Sequence, residues 1–175
     1  MGRFVAGKPP QHLLNILGLV ARRVPPVVAA LLIAGILGGQ VAHAAQTRSE
    51  SALLRAMNEA RRAHGLGPLR MDQRLRRVAR AHSVKMIRSG SFSHGAFSAR
   101  IRAAGVRAAR VGENLAWGSG ALSQARAIVR LWLASPEHRA NLLRPGYRTA
   151  GVGIRKGTFE GCAGALVITT DFAGR

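Results

Sequence analysis

Gly112-Glu113-Asn114-Leu115-Ala116-Trp117-Gly118 sets one acid among small and apolar residues. In a chain with seven Asp and Glu against 27 Lys and Arg, that placement needs a local cause. A half-buried carboxylate without a partner is costly. Two histidines offer themselves as partners. His94 stands 19 positions earlier, in Phe92-Ser93-His94, and His138 stands 25 positions later, in Ser135-Pro136-Glu137-His138-Arg139-Ala140-Asn141. Two imidazoles and a carboxylate on three separate segments can line a metal or acid–base cleft. With a water in the fourth place they suit an open, zinc-like divalent site. No compact ligand motif such as H-E-x-x-H supports that reading. Each residue also has a plain structural role open to it: a solvated loop histidine at 94, a carboxylate hydrogen-bonded to a turn at 113, a helix-start histidine at 138.

The flanking segments alternate between helical and extended periodicity. Leu53, Leu54, Met57 and Ala60 repeat at helical spacing within a helix over 51–64, which Gly65-Leu66-Gly67-Pro68 ends. Asp72 caps a second helix running to Ser89. Its inner face holds Leu75, Val78, Ala79, His82 and Met86, with Arg77, Arg80 and Arg88 on the solvated side. His82 reads as a satisfied core histidine. A short helix spans 97–104, and 111–117 is extended. A further helix over 123–134 turns Ala127, Ile128, Leu131 and Trp132 inward, and Trp117 and Trp132 read as core. Ser135-Pro136 starts another helix, with Ser as cap and Pro at its first position. Its positive N-terminal end disfavours a charged imidazole at His138, leaving the neutral form that binds metal or accepts a proton. Strands over 150–155 and 165–172 follow, joined by a connection over 156–164. Helices first and strands last make an α+β chain rather than alternating βαβ units.

Residues 1–44 read as a secretory signal peptide or an uncleaved anchor. Arg3, Lys8, Arg22 and Arg23 make a basic start, Val27 to Leu37 is apolar apart from Gly35, and Ala42-His43-Ala44 has small residues where a signal peptidase reads. The apolar run is short of the roughly 20 residues a membrane span needs. Cleavage after Ala44 leaves 131 residues, enough for one domain with its own core. That domain keeps 23 of the 27 Lys and Arg and all seven acids, a net charge of +16. Such a surface suits an anionic envelope component or lipid headgroup. Nucleic acid fits poorly, because export removes the chain from the cytoplasm and no aromatic stacking platform is present. Cys162 is the single cysteine, which excludes an intramolecular disulfide. Between Gly161 and Gly164 it reads as a turn thiol, buried, free or paired between molecules, not as a nucleophile.

Taken together these stretches resemble the CAP superfamily of cysteine-rich secretory proteins, venom antigen 5 and plant pathogenesis-related proteins of group one, in its single-domain bacterial branch. The matching residues are Asn58-Glu59-Ala60-Arg61 with Gly65-Leu66 and Pro68-Leu69, Ala81-His82-Ser83, Phe92-Ser93-His94, Gly112-Glu113-Asn114-Leu115-Ala116, Trp132 with 135–143, and Gly151-Val152-Gly153. The resemblance covers about residues 50–173 and implies an α-β-α sandwich around a small antiparallel sheet. It also implies a cleft of two His and two acids that binds a divalent metal in some members. His94, Glu113 and His138 match three of those places. Ser135 stands at the fourth, and Glu137, adjacent to His138, does not simply replace the missing acid. The function expected is a secreted or periplasmic binding module for a lipid, envelope polymer or protein. The alternative is a metal-dependent hydrolase with His94 and His138 as ligands and Glu113 as base.

Overall fold

Two glycines on one strand set the spacing of the fold. The computed structural model describes residues 26–175. A Cβ on Gly151 would lie 2.1 Å from the Leu75 carbonyl carbon, and one on Gly153 would lie 2.2 Å from that of Ala79. Only hydrogen at these two positions lets a helix backbone rest directly on the sheet.

In chain order the elements are α1 (Pro26–Ala63), β1 (Arg70–Met71), α2 (Gln73–Ser89), α3 (Phe97–Ala103), β2 (Arg110–Gly118), a 3-10 turn (Gly120–Ser123), α4 (Ala125–Ala134), α5 (Pro136–Leu142), β3 (Tyr147–Phe159) and β4 (Cys162–Gly174). By packing, the chain divides into Met1–Ala44 and Ala45–Arg175. The basic start with Arg3, Lys8, Arg22 and Arg23 lies outside the described residues. The apolar run 27–37 falls within α1. Among the described residues no helix is long and apolar enough to cross a membrane.

In the second unit the strands order β1-β3-β4-β2. One sheet face, with Ala150, Val152, Ile154, Ile168 and Phe172, packs with Leu53 and Met57 of α1, Ile128 and Trp132 of α4 and Leu142 of α5. The opposite face carries α2 and α3 through two smaller clusters, around Met86 and Val167 and around Leu75, Ile101 and Ala173. The result is a sheet between two helical layers. The antiparallel expectation holds for β2, β3 and β4, while β1 pairs parallel to β3 over two residues. So short a strand leaves no periodic signal.

Three sequence readings change. The connection between β3 and β4 is a two-residue turn, Glu160 (φ 48°) and Gly161 (φ 74°), so the strands reach 159 and start at 162. Paired left-handed residues match the twist of a hairpin; Gly157 and Gly164 had disguised the strand ends. Cys162 is thus a half-buried free thiol at the start of β4. Arg80 is not simply solvated. With Arg76 it grips Glu50, a carboxylate with no exposed surface, at 2.7 and 2.8 Å. Leu131 does not face inward; it is 49% exposed.

The Asn58–Arg61 stretch works as a clamp. The Asn58 amide exchanges two hydrogen bonds with the Leu69 backbone, at 2.8 and 3.0 Å. The fully buried Arg61 guanidinium donates to the carbonyls of Gly67, Leu142, Arg144 and Tyr147. Four carbonyls replace the water it loses and tie the end of α1 to the end of α5 and the start of β3.

Candidate functional site

The three residues singled out from sequence meet at β2, the edge strand of the sheet. Glu113 sits on β2 with its side chain 1% exposed. His94, in the loop after α2, donates from Nδ1 to Glu113 Oε1 at 2.7 Å. Arg100 of α3 binds Glu113 Oε2 and donates to the His94 carbonyl at 2.6 Å. The loop is held from below by His82, whose Nε2 donates to the Ser93 carbonyl at 2.9 Å. His82 is therefore a core histidine with a positioning task, satisfied on one nitrogen; its Nδ1 has no partner. Burial, and then the charge of Arg100, push its pKa down.

His138 approaches the same strand from the other helical layer. Its carbonyl accepts from Asn114 at 2.9 Å, and its Nδ1 hydrogen-bonds the Ser135 hydroxyl at 2.8 Å. Ser135 occupies the N-cap position of α5 without making the backbone cap bond, because its oxygen is spent on the imidazole. Burial, followed by the charge of His94, lowers the His138 pKa. The direction agrees with the sequence reading, but the causes are burial and a neighbouring histidine.

Two residues that sequence did not single out complete the cluster. Arg100 was one of many arginines with no distinguishing pattern. Asp171, on β4, is the register partner of Glu113 and is fully buried. Both its oxygens lack a hydrogen-bond partner, as does Arg100 Nε. Burial first, and then the charge of Glu113, raise the Asp171 pKa to about 9. Burial and the neighbouring carboxylate together push Asp171 toward its neutral form. A visible signal existed: an acid inside the apolar run 165–172 belongs either to a buried pair or to no strand at all.

Beside His138 an open apolar groove of about 230 Å³ runs along β2, walled by Phe92, Leu115, Trp117, Leu131 and Trp132, with Ser135 and His138 at its polar end. Phe92 is 41% exposed. Trp132 is core, as expected, and also fixes the edge strand by donating to the Leu115 carbonyl at 3.0 Å. Asn141 does the same at the Glu113 carbonyl, at 3.2 Å.

Among the described residues no group of three or more His, Cys, Asp or Glu side chains is arranged to hold a metal ion. The donor chemistry gives the reason. Both Glu113 oxygens are engaged, one by a guanidinium, and Ser135 supplies a hydroxyl already bound to His138. What remains is two imidazoles, fewer than the three protein ligands of an open zinc site. As arranged, these residues do not fit such a metal.

The cysteine-rich secretory protein (CAP) profile matches residues 54–163. The YkwD protein of Bacillus subtilis (strain 168) is 31% identical over 109 residues, which are 59% of this chain and 41% of YkwD. An extracellular protein containing a SCP domain from Bacillus anthracis superposes with a TM-score of 0.64 at 27% identity, covering 74% of this chain and 41% of that one. An outer surface protein of Borrelia burgdorferi shares the fold, with a TM-score of 0.61 at 21% identity over 73% of this chain and 93% of its own. The chain thus spans about two fifths of the length of the two Bacillus proteins. With the profile covering well over half of its residues, and with an α+β sandwich shared with SCP-domain structures, the chain belongs to the cysteine-rich secretory protein (CAP) family.

Proposed function

We propose that this chain is a secreted or periplasmic binding module whose groove along β2 takes the apolar part of an amphiphilic ligand, with His138 and Ser135 meeting its polar end. One observation carries the reading. Phe92 and Leu131 keep large apolar surface in solvent on either side of a groove that ends at a hydroxyl–imidazole pair. Exposed apolar surface gathered around a concavity marks a binding site. At about 230 Å³ the groove is smaller than the roughly 300–1,000 Å³ of a site that engulfs a small molecule, so it covers only a segment of its ligand. The basic surface draws the module toward anionic envelope components.

Binding is favoured over hydrolysis by the state of Glu113. A carboxylate held by both Arg100 and His94 is a poor general base. Its role is to fix the His94 imidazole and the loop that carries Phe92.

The test uses the chain's two tryptophans, both of which line the groove. Titration with sodium oleate is expected to shift their fluorescence saturably. A Phe92→Ser, Leu131→Ser variant removes apolar surface from the groove's rim, with the edge contact of Phe92 on Phe159, and is expected to bind about tenfold more weakly while urea melts check that the fold is kept. An unchanged titration in that variant rejects the groove as the site.

A further inference from the structure

A second concavity lies at one end of the sheet, where β1, the start of β3 and the end of β4 meet the loop that follows α3. It encloses about 650 Å³ and is lined by Arg70, Arg74, Arg107, Arg148 and Arg175, with Asp72 as its one acid. Asp72 offsets one of these five charges. Its Oδ1 accepts from the backbone N–H groups of Arg74 and Leu75, at 2.8 and 3.0 Å, and so serves the start of α2.

The other acids do not reach these arginines. Glu50 holds Arg76 and Arg80, Glu113 holds Arg100 and His94, and Glu59 pairs with Arg126. Among the described residues none of the five groove arginines has a carboxylate partner within salt-bridge distance. Two are nonetheless aimed. Arg74 donates to the Gly105 carbonyl at 3.2 Å, and Arg148 donates to the Tyr147 carbonyl at 3.1 Å and to that of Pro145. Each spends one nitrogen on this anchoring and keeps the rest of its donor fork for a ligand.

Like charges gathered in a concavity repel one another, and they focus a positive potential into it. Guanidinium forks match phosphate oxygens in pairs, which separates this site from a diffuse cationic surface. We propose that this groove binds a linear polyanion carrying a phosphate in each repeat. One phosphate pairs with one or two guanidinium forks, so five unpaired arginines lining about 650 Å³ suit a ligand that carries several phosphates. The site is independent of the groove beside His138 and lies on separate elements.

Medium-chain inorganic polyphosphate is the probe, titrated by calorimetry into the full chain at low salt. The variant Arg74→Gln, Arg107→Gln, Arg148→Gln is compared with Arg88→Gln, Arg130→Gln, Arg155→Gln, which removes the same charge from exposed positions elsewhere. All six residues are exposed, so thermal unfolding is expected to match the parent. The groove variant is expected to lose at least about tenfold in affinity and the control no more than about twofold. Equal losses in the two variants overturn the proposal in favour of net charge alone. Equal affinity for polyglutamate of matched charge overturns the phosphate assignment. A groove variant that loses binding to phosphatidylglycerol vesicles but keeps polyphosphate makes the site a headgroup contact and overturns the polymer.

Discussion

Asp171→Asn should make this protein more stable at neutral pH, by an amount that grows with pH. Asp171 is fully buried beside Glu113, and its pKa rises from 3.8 to about 9. The folded state therefore holds a proton that the unfolded chain releases above pH 3.8. Its contribution is fully present below that value and is lost as pH rises toward about 9. The slope from one such group is about 1.4 kcal/mol per pH unit. From 3.8 to 7 is a little over three units, so the ceiling on the cost at pH 7 is about 4 kcal/mol. Asparagine has the shape of the protonated acid and has no proton to lose. Urea unfolding of parent and variant at pH 5, 6, 7 and 8 measures the effect. The difference is expected to widen steadily in the variant's favour, by on the order of 1 kcal/mol per unit. Parallel pH profiles, or a variant less stable at every pH, would refute a buried Asp171 that holds its proton in the folded state.

Four other outcomes follow from particular contacts. Gly153→Ala is expected to lose more than about 3 kcal/mol or fail to fold, because its Cβ would meet the α2 backbone; Gly157→Ala, facing the flexible Ile87 side chain at 3.0 Å, should cost less. Circular dichroism with urea melts decides between them, and equal melts would contradict the close approach. Glu50→Gln should cost about 2 kcal/mol in the same assay, since Arg76 and Arg80 lose their shared carboxylate yet keep partial access to water. His82 has a depressed pKa, so its contribution is complete above about 6.5 and falls away as pH drops below that value. His82→Gln should flatten the acid limb of the stability profile, and an unchanged limb would assign that limb to other groups. Zinc calorimetry should give the same weak heat for the parent and a His94→Ala, His138→Ala variant; a saturable one-site isotherm in the parent alone would restore the metal cleft.

The partnership of His94 with Glu113 was legible because a lone acid among small and apolar residues calls for a nearby donor. The helices were legible from apolar spacing, and the start of α5 from Pro136 at its first position, although the Ser135 hydroxyl turns to His138 instead of capping. Asp171 and Arg100 were not legible. Their roles come from strand register and a loop fold, which bring positions 58 and 13 residues away onto Glu113. Leu131 was misplaced because helical periodicity marks a face without saying where the partner layer ends. At the edge of the sheet that layer ends early, leaving the leucine over the groove. The parallel strand β1 was illegible for want of length, and the ends of β3 and β4 because glycines interrupt their alternation.

The treatment of the β2 edge limits how this protein can meet other proteins. An uncovered edge invites a neighbouring chain to add a strand. Here the Trp132 indole and the Asn141 carboxamide already occupy two of the carbonyls such a strand would use, those of Leu115 and Glu113. An incoming backbone would have to break both bonds and dislodge a core tryptophan. Strand exchange between copies is blocked at the same place. Recognition at this edge must therefore run through side chains, and partners are sorted by shape and polarity rather than captured by backbone pairing.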